Sequence, residues 1–367
     1  MSDNSQAILP PHGGQLRQIA ARYGIPAEKL LDFSANINPA GPPPSALRAI
    51  QQALQNPTTL TAYPDLEQVE LKQALADYAS ILPENIAVAN GFVPLLEASI
   101  RSLRIQRCLV PVPAFSEYRR ALEKANVAVI PYRLSGEDGF QYEHNAILKA
   151  VSSSSCDAIL LANPQNPSGT ICTCQQMLHL IEAAEQLGVR VLLDEAFIDY
   201  YPNHSLTLQS VQHANLIVFR SVTKFFAMPG LRVAYAVSNS SMVQSLNLYI
   251  APWPIATLAV HAVCAALRDE SYAEESRLSN ERGRFWMQQK LQIIGLPTYK
   301  SATNFLLLRL PSHVDPTVFW ERMILDHQVV LRSCVNFEGL ATGHFRVAVR
   351  SEQENERLIC CVAIQLG

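Results

Sequence analysis

From Pro64 to about Tyr249 the chain alternates short apolar runs with helical stretches, and this alternation most narrows the folds open to it. The runs are Ala87-Val88-Ala89, Cys108-Leu109-Val110, Ala158-Ile159-Leu160-Leu161, Val189-Arg190-Val191-Leu192-Leu193 and Leu216-Ile217-Val218-Phe219. Between them lie stretches with helical period, such as 66–79 and 175–187. Runs that are largely apolar suit strands covered on both faces. The expected fold class is therefore α/β, a mainly parallel sheet with helices on both sides. Trp253-Pro254 marks a hinge, after which a long helix around 270–294 and strands at 304–310, 329–332 and 344–349 predict a smaller α+β domain. The first sixty residues are rich in Pro and Asn, and the break Gly41-Pro42-Pro43-Pro44 precedes a helix over 46–54 with Ser45 as its cap. The expected division is an N-terminal arm with part of the small domain over 1–60, a large domain over 61–250 and a C-terminal small domain over 251–367.

Composition sets bounds on function. With 367 residues and 49% hydrophobic content the chain can bury a large core. A net charge of -3 gives no electrostatic reason to expect a nucleic-acid partner. Charged residues are only 17%, which suits a surface partly covered by a second subunit. The eight cysteines show no metal spacing beyond Cys172-x-Cys174 and the adjacent Cys360-Cys361, so reduced, mostly buried thiols and no metal are expected. Met1-Ser2-Asp3-Asn4-Ser5-Gln6 has no basic region leading into an apolar run, and no stretch reaches membrane-spanning length. A soluble cytoplasmic enzyme is the expectation.

Three strings carry chemistry. Leu160-Leu161-Ala162-Asn163-Pro164-Gln165-Asn166-Pro167-Ser168-Gly169 reads as a strand running into a Pro/Asn/Gly turn. Val191-Leu192-Leu193-Asp194 reads as a buried strand ending in an acid. Ser221-Val222-Thr223-Lys224 sets one amine among small hydroxyls, with the guanidinium of Arg232 eight positions on. In this order and spacing Asn166, Asp194, Lys224 and Arg232 resemble the fold type I enzymes of the aspartate aminotransferase superfamily, which use pyridoxal 5′-phosphate, and the resemblance runs over nearly the whole chain. It implies an aspartate aminotransferase-like large domain and a homodimer. It also implies catalytic roles for Lys224, Asp194 and Asn166: Lys224 bonds covalently to the cofactor aldehyde, Asp194 faces the ring nitrogen and Asn166 faces the ring hydroxyl. A desolvated amine near a cation sheds its proton more easily, as that bond requires. Ser221, Thr223 and Arg232 match phosphate-binding groups.

Further cofactor contacts follow from the resemblance. Ala89-Asn90-Gly91-Phe92-Val93-Pro94 joins a strand to a helix whose first amides, those of Phe92 and Val93, suit the phosphate. Family members usually carry a small or hydroxyl residue and a Glu in this turn; here Phe92, Val93 and Pro94 stand instead. Phe115 matches the aromatic that stacks on the ring. Tyr63, in Ala62-Tyr63-Pro64-Asp65, matches the tyrosine sent across the dimer interface to the neighbouring phosphate. Phe197 stands where many relatives have Tyr, three residues after the ring-binding Asp.

His12-Gly13-Gly14, Asp32-Phe33-Ser34-Ala35-Asn36-Ile37-Asn38-Pro39, Phe115-Ser116-Glu117-Tyr118 and Phe345-Arg346-Val347-Ala348-Val349-Arg350 look most like the L-threonine-O-3-phosphate decarboxylases of cobalamin biosynthesis, close relatives of histidinol-phosphate aminotransferases. The resemblance implies decarboxylation of L-threonine O-3-phosphate to (R)-1-aminopropan-2-ol O-2-phosphate, with Arg332, Arg346, His12 and Asn38 on the substrate. Histidinol-phosphate-type transamination stays open, because the broken bond is the one held perpendicular to the conjugated ring, and residue types do not fix that torsion. A non-catalytic pyridoxal-phosphate sensor is a third reading. Such regulators carry a DNA-binding helix-turn-helix ahead of the domain, and the Pro-rich first sixty residues do not suit one.

Overall fold

The computed structural model describes residue 10 and residues 12–367; the stretch Met1–Gln6 lies outside them. Twelve strands occur among the described residues: β1 (Leu31–Asp32), β2 (Ile86–Ala89), β3 (Arg107–Val112), β4 (Ala128–Arg133), β5 (Ala158–Ala162), β6 (Arg190–Asp194), β7 (Leu216–Ser221), β8 (Ala234–Val237), β9 (Phe305–Arg309), β10 (Val329–Val330), β11 (Arg332–Ser333) and β12 (His344–Ala348). Seven form one sheet in the order β2-β8-β7-β6-β5-β3-β4, in which only β8 runs against its neighbours. Side chains alternate between its faces with period two. Leu109, Ile159, Leu161, Val191, Leu193, Leu216 and Val218 enter one apolar cluster, and Cys108, Val110, Ala158, Leu160, Leu192, Ile217 and Phe219 enter the other. Both faces are therefore covered by helices, which is why these strands read as unbroken apolar runs rather than as alternating patterns.

The two strands of this sheet not anticipated have local causes. β4 lies at the sheet edge, is partly exposed and contains Pro131, which breaks the apolar signal and is tolerated only where a ladder bond is not needed. β8 is only four residues of mostly small side chains. The helix expected over 46–54 runs Pro44–Ala53 with Pro43 at its cap, so Ser45 lies inside the first turn and its hydroxyl instead donates to Asp269 Oδ2 at 2.6 Å. Proline at the first helical position needs no N–H partner, which lets the helix start earlier than the cap rule places it. The strand expected over 329–332 divides: β10 pairs with β1 in parallel, and β11 pairs with β12.

The second sheet, β11-β12-β9, is antiparallel. Its register sets Arg332 directly opposite Arg346, so the two side chains share one face. The N-terminal segment is bound to this end of the molecule. Leu31 and Asp32 pair with Val329 and Val330, and the Ala348 amide donates to the Phe33 carbonyl at 2.9 Å. No helix among the described residues is long and apolar enough to cross a membrane. The eight cysteines are free thiols, six of them buried.

A buried charge cluster lies behind the main sheet. Arg220, on β7, approaches Asp199 Oδ1 at 2.5 Å and Glu195 Oε2 at 3.8 Å, and Glu195 also accepts from the Leu206 amide and the Ser205 hydroxyl. Burial pushes the Arg220 guanidinium down, yet Tyr235, Asp199 and Glu195 together outweigh it and hold the group above its ordinary value, so it stays charged. Removing one member of such a cluster leaves the others buried without a counter-charge. Arg220→Met should therefore lower unfolding stability by about 3–5 kcal/mol in denaturant titration, whereas a variant that also makes Glu195 and Asp199 apolar should recover much of the loss.

Candidate active site

The strand ends gather the site. β5, β6 and β7 are adjacent and parallel, with Ala162 beside Asp194 and Asp194 beside Phe219. The turn after β5 then carries Asn166, β6 itself ends in Asp194, and the turn after β7 carries Lys224. In an open α/β sheet the crevice beyond the carboxyl ends of the strands is where ligands bind. A cavity of about 320 Å³ opens there, and Lys224, Asp194, Asn166, Arg232, Phe92, Phe115, Phe197, Arg332, Arg346 and His12 all line it.

Burial shifts the two central titratable groups in opposite directions. Desolvation pulls the Lys224 amine below its ordinary value; Asp194 opposes this, and the Arg232 and Arg346 guanidiniums add to it. Lys224 Nζ lies 5.9 Å from the centre of the Phe197 ring, and the edge of that ring meets Phe305 at 5.0 Å. Desolvation likewise raises Asp194, while the Tyr118 hydroxyl, the Lys224 charge and the Ala196 amide pull it back. Tyr118 Oη donates to Asp194 Oδ2 at 2.5 Å and the Ala196 N–H to Oδ1 at 2.9 Å.

An anion cradle lies at one end of the cavity. The helix Phe92–Leu103 begins after Gly91, whose φ of +98° favours glycine. A Cβ on Gly91 would come within 2.6 Å of Arg232 Nη2, so the missing side chain is what lets the guanidinium lie against the helix start. Val93 sits in the first turn of that helix. Ser221, which ends β7, and Thr223 are buried, with their hydroxyls 2.7 Å apart. Free N–H groups, a guanidinium and hydroxyls gathered at a helix N-terminus are the donor set that a phosphate ester takes.

A second cationic region faces it. Arg346 Nη1 donates to Asn166 Oδ1 at 2.7 Å and Nη2 to the Ser34 carbonyl at 3.3 Å, and the guanidinium covers the Phe305 ring at 5.1 Å. Turning the Asn36 amide to suit its neighbours puts its oxygen 3.1 Å from Arg346 Nε. Burial pulls Arg346 down to about 10, and the Arg332 guanidinium adds to the pull while Cys334 opposes it. Arg332 donates to the Asn336 side chain at 2.7 Å and to the carbonyls of Ser333 and Pro10, and lies over Phe337 at 5.2 Å. His12 sits 3.2 Å from Glu117 Oε1 with its ring tilted on Phe115. Gly13 lies so close to the Ser34 carbonyl that a Cβ there would collide with it, which explains the glycine after His12.

Of the expected residues, Asn38 lies elsewhere, and Tyr63, expected at the partner subunit's site, lies outside the cavity of its own chain. Asn38 does not line the cavity: its buried amide donates to the Phe225 carbonyl, Tyr272 Oη and Ser276 Oγ, and its N–H donates to the Lys224 carbonyl at 3.0 Å. The Ile37 amide closes a tight turn on the Ala35 carbonyl, so Asn36 and Asn38 do not share a face as they would in an extended strand. Asn36 and Ser34 take the place at the cavity wall, and Asn38 braces the Lys224 turn from behind. Tyr63 is 81% exposed and packs on Trp253 at 4.9 Å, outside the cavity of its own chain. Tyr118, Asn36 and Ser34 were not anticipated. The spacing of Tyr118 three positions after Phe115 brings their two rings together but carries no sign of Asp194.

Gly91→Ala should disturb both the helix start and Arg232. Strain at such a backbone position costs about 1–3 kcal/mol. Titration of the unliganded protein with pyridoxal phosphate should then show at least about 10-fold weaker binding, whereas pyridoxal without the phosphate should change much less.

The sequence pattern described as Aminotransferase class I and II matches residues 28–361. The threonine-phosphate decarboxylase of Salmonella typhimurium is 33% identical over 355 residues, which cover 96% of this chain and 95% of that protein. Histidinol-phosphate aminotransferase 1 of Psychrobacter arcticus is 27% identical, covering 97% of this chain and 93% of its own. The solved structure of the Sinorhizobium meliloti histidinol-phosphate aminotransferase in complex with pyridoxal 5′-phosphate superposes with a TM-score of 0.84 at 23% identity, covering 96% of this chain and 97% of that one. The sheet order, the strand-end placement of Asn166, Asp194 and Lys224, and the match over residues 28–361 agree: the chain belongs to the class I and II aminotransferase family.

Proposed function

We propose that the chain is a pyridoxal-phosphate-dependent carboxy-lyase that decarboxylates L-threonine O-3-phosphate, as a homodimer in the cytoplasm, within cobalamin biosynthesis. The observation that carries the reading is the pair Arg332 and Arg346, set directly opposite each other on one antiparallel ladder at the cavity wall. Like charges opposed across a ladder are unfavourable, and a bound dianion would relieve that repulsion. The 33% identity to a threonine-phosphate decarboxylase, against 27% to a histidinol-phosphate aminotransferase, supports the same choice.

The residues fit the cofactor. Lys224 has the buried, pKa-lowered amine, Asp194 the buried carboxylate, and Gly91 with Arg232 the anion cradle. When bound, pyridoxal phosphate supplies a sink for the electron pair that leaves the substrate's alpha carbon. Asp194 would face the ring nitrogen and keep a proton there. Asn166, whose oxygen is engaged by Arg346, has its amide N–H groups to offer the ring hydroxyl. Phe197 offers no second donor to that hydroxyl, so Asn166 acts on it without a phenol beside it. The helix start at Phe92 and Val93, with Ser221, Thr223 and Arg232, would hold the cofactor phosphate, and Phe115 would cover the ring. Arg332, Arg346 and His12 would hold the substrate phosphate, which leaves the substrate carboxylate free to stand out of the ring plane. The large domain of this reading is 61–250, with 251–367 as the small domain and 1–60 as the arm.

Borohydride reduction of the yellow holoprotein should place the label on Lys224, and a label on another lysine would sink this assignment. Arg332→Ala and Arg346→Ala should each lower kcat/KM for the phosphorylated substrate by about 10- to 150-fold, the range for a lost hydrogen bond to a charged group, with little change in cofactor affinity. The deciding assay offers L-threonine phosphate, L-serine phosphate and histidinol phosphate with 2-oxoglutarate and follows carbon dioxide and glutamate. Carbon dioxide from L-threonine phosphate is expected; glutamate from histidinol phosphate, with no carbon dioxide from either phosphoamino acid, would install the aminotransferase instead. The exposed Tyr63 supports a shared site. Mixing inactive Lys224→Ala and Tyr63→Ala subunits should restore activity, since one class of mixed site carries neither lesion, and no recovery despite subunit exchange would count against sharing.

A further inference from the structure

Tyr118 is a polar side chain in an apolar place. It is 2% exposed, lies on the helix Ser116–Lys124, and meets Phe115 edge-on at 5.7 Å and Phe92 at 5.6 Å. It is absent from the lining of the cavity, whereas Phe92, Phe115 and Asp194 form part of it. Its hydroxyl nevertheless reaches the cavity wall by donating to Asp194 Oδ2 at 2.5 Å. Burial, then the Asp194 charge and hydrogen bond, drive the phenol well above its ordinary range, so it keeps its proton and acts as a donor.

The two hydrogen bonds to Asp194 come from opposite sides of the carboxylate. The Ala196 amide fixes Oδ1 and Tyr118 fixes Oδ2, which together set the plane of the group. Each oxygen keeps an unused lone pair. Hydrogen bonds to the charged form lower the proton affinity of a carboxylate. Facing a protonated aromatic nitrogen, a carboxylate with two such bonds leaves the proton on the nitrogen, while one stripped of a donor competes for it.

We propose that Tyr118 is a positioning residue: through its hydrogen bond to Asp194 it fixes the orientation of that carboxylate and keeps the proton on the cofactor ring nitrogen. The inference rests on the reading of the cavity as a pyridoxal-phosphate site. It assigns Tyr118 a function that packing does not supply, because phenylalanine would fill the same space between Phe92 and Phe115.

The unliganded protein reconstituted with pyridoxal phosphate labelled with nitrogen-15 in the ring reports the protonation of that nitrogen through its NMR shift. In Tyr118→Phe the resonance should move toward that of neutral pyridine, and kcat should fall by about 10- to 150-fold with a much smaller change in KM. Replacing Tyr118 by 3-fluorotyrosine, a stronger donor of nearly the same shape, should move the resonance the opposite way, and it serves as the test should Tyr118→Phe fold poorly. In an Asp194→Asn background, Tyr118→Phe should shift the resonance no further. Bound label with an unmoved resonance in both Tyr118 variants overturns this inference alone. A wild-type protein that takes up no label overturns the cofactor reading and this inference with it.

Discussion

A carboxylate buried at the end of an apolar strand is the constraint around which the site is arranged. Asp194 follows Val191, Leu192 and Leu193, which are wholly buried, and an isolated anion there would cost several kcal/mol. Its two donors and its nearby positive charge come from separate elements: Tyr118 from the helix Ser116–Lys124, the Ala196 amide from the turn after β6, and the Lys224 charge from the turn after β7. Those elements meet only when β3, β6 and β7 are in register, so the site and the sheet stabilise each other. The same burial acts on Lys224 with opposite effect, because desolvation disfavours the charged form of either group. An amine lowered and a carboxyl raised by one apolar wall are thus brought toward each other in proton affinity. Tyr118 and Ala196 offset this on the carboxylate, and Arg232 and Arg346 reinforce it on the amine.

Much of this was legible in the sequence, for physical reasons that also mark the limits. Strands covered on both faces leave unbroken apolar runs, so β2, β3, β5, β6 and β7 could be read, and the strand-to-turn junctions exposed Asn166, Asp194 and Lys224. The edge strand β4, with Pro131, and the four-residue β8 gave no such run. The difference between Asn36 and Asn38 was invisible, because it depends on a single tight turn closed between Ala35 and Ile37. Tyr118 was hidden for another reason: its partner Asp194 is 76 positions away, and nothing in local spacing announces a contact made across the sheet. The opposition of Arg332 and Arg346 is likewise a matter of register between two strands, and register is set by which face each strand buries.

The departure at Phe197 shows how such a site tolerates a missing donor. Phe197 packs edge-on against Phe305, which in turn lies under the Arg346 guanidinium. Phenylalanine here brings no hydroxyl that would need a partner, and its ring also lines the cavity. The aromatic pair instead supports Arg346 from beneath and leaves Asn166 and Asn36 to accept its N–H groups. An apolar ring at Phe197 therefore accompanies a guanidinium seated on the neighbouring Phe305.

The groups proposed for electron withdrawal and for substrate-anion binding belong to different sheets. Lys224, Asp194 and Asn166 stand at the carboxyl ends of inner strands of the seven-stranded sheet, whereas Arg332 and Arg346 project from the three-stranded one. Which substrate bond stands perpendicular to a conjugated ring depends on where the anion clamps lie relative to the ring face, and so on how the two sheets are packed. That packing is fixed by contacts such as Arg346 to Asn166, while the N-terminal segment is carried with the smaller sheet through the Phe33 carbonyl and the Ala348 amide. The relative placement of the two sheets, held in part by the Arg346 to Asn166 hydrogen bond, therefore sets how the arginines stand to the strand ends that carry Asn166, Asp194 and Lys224.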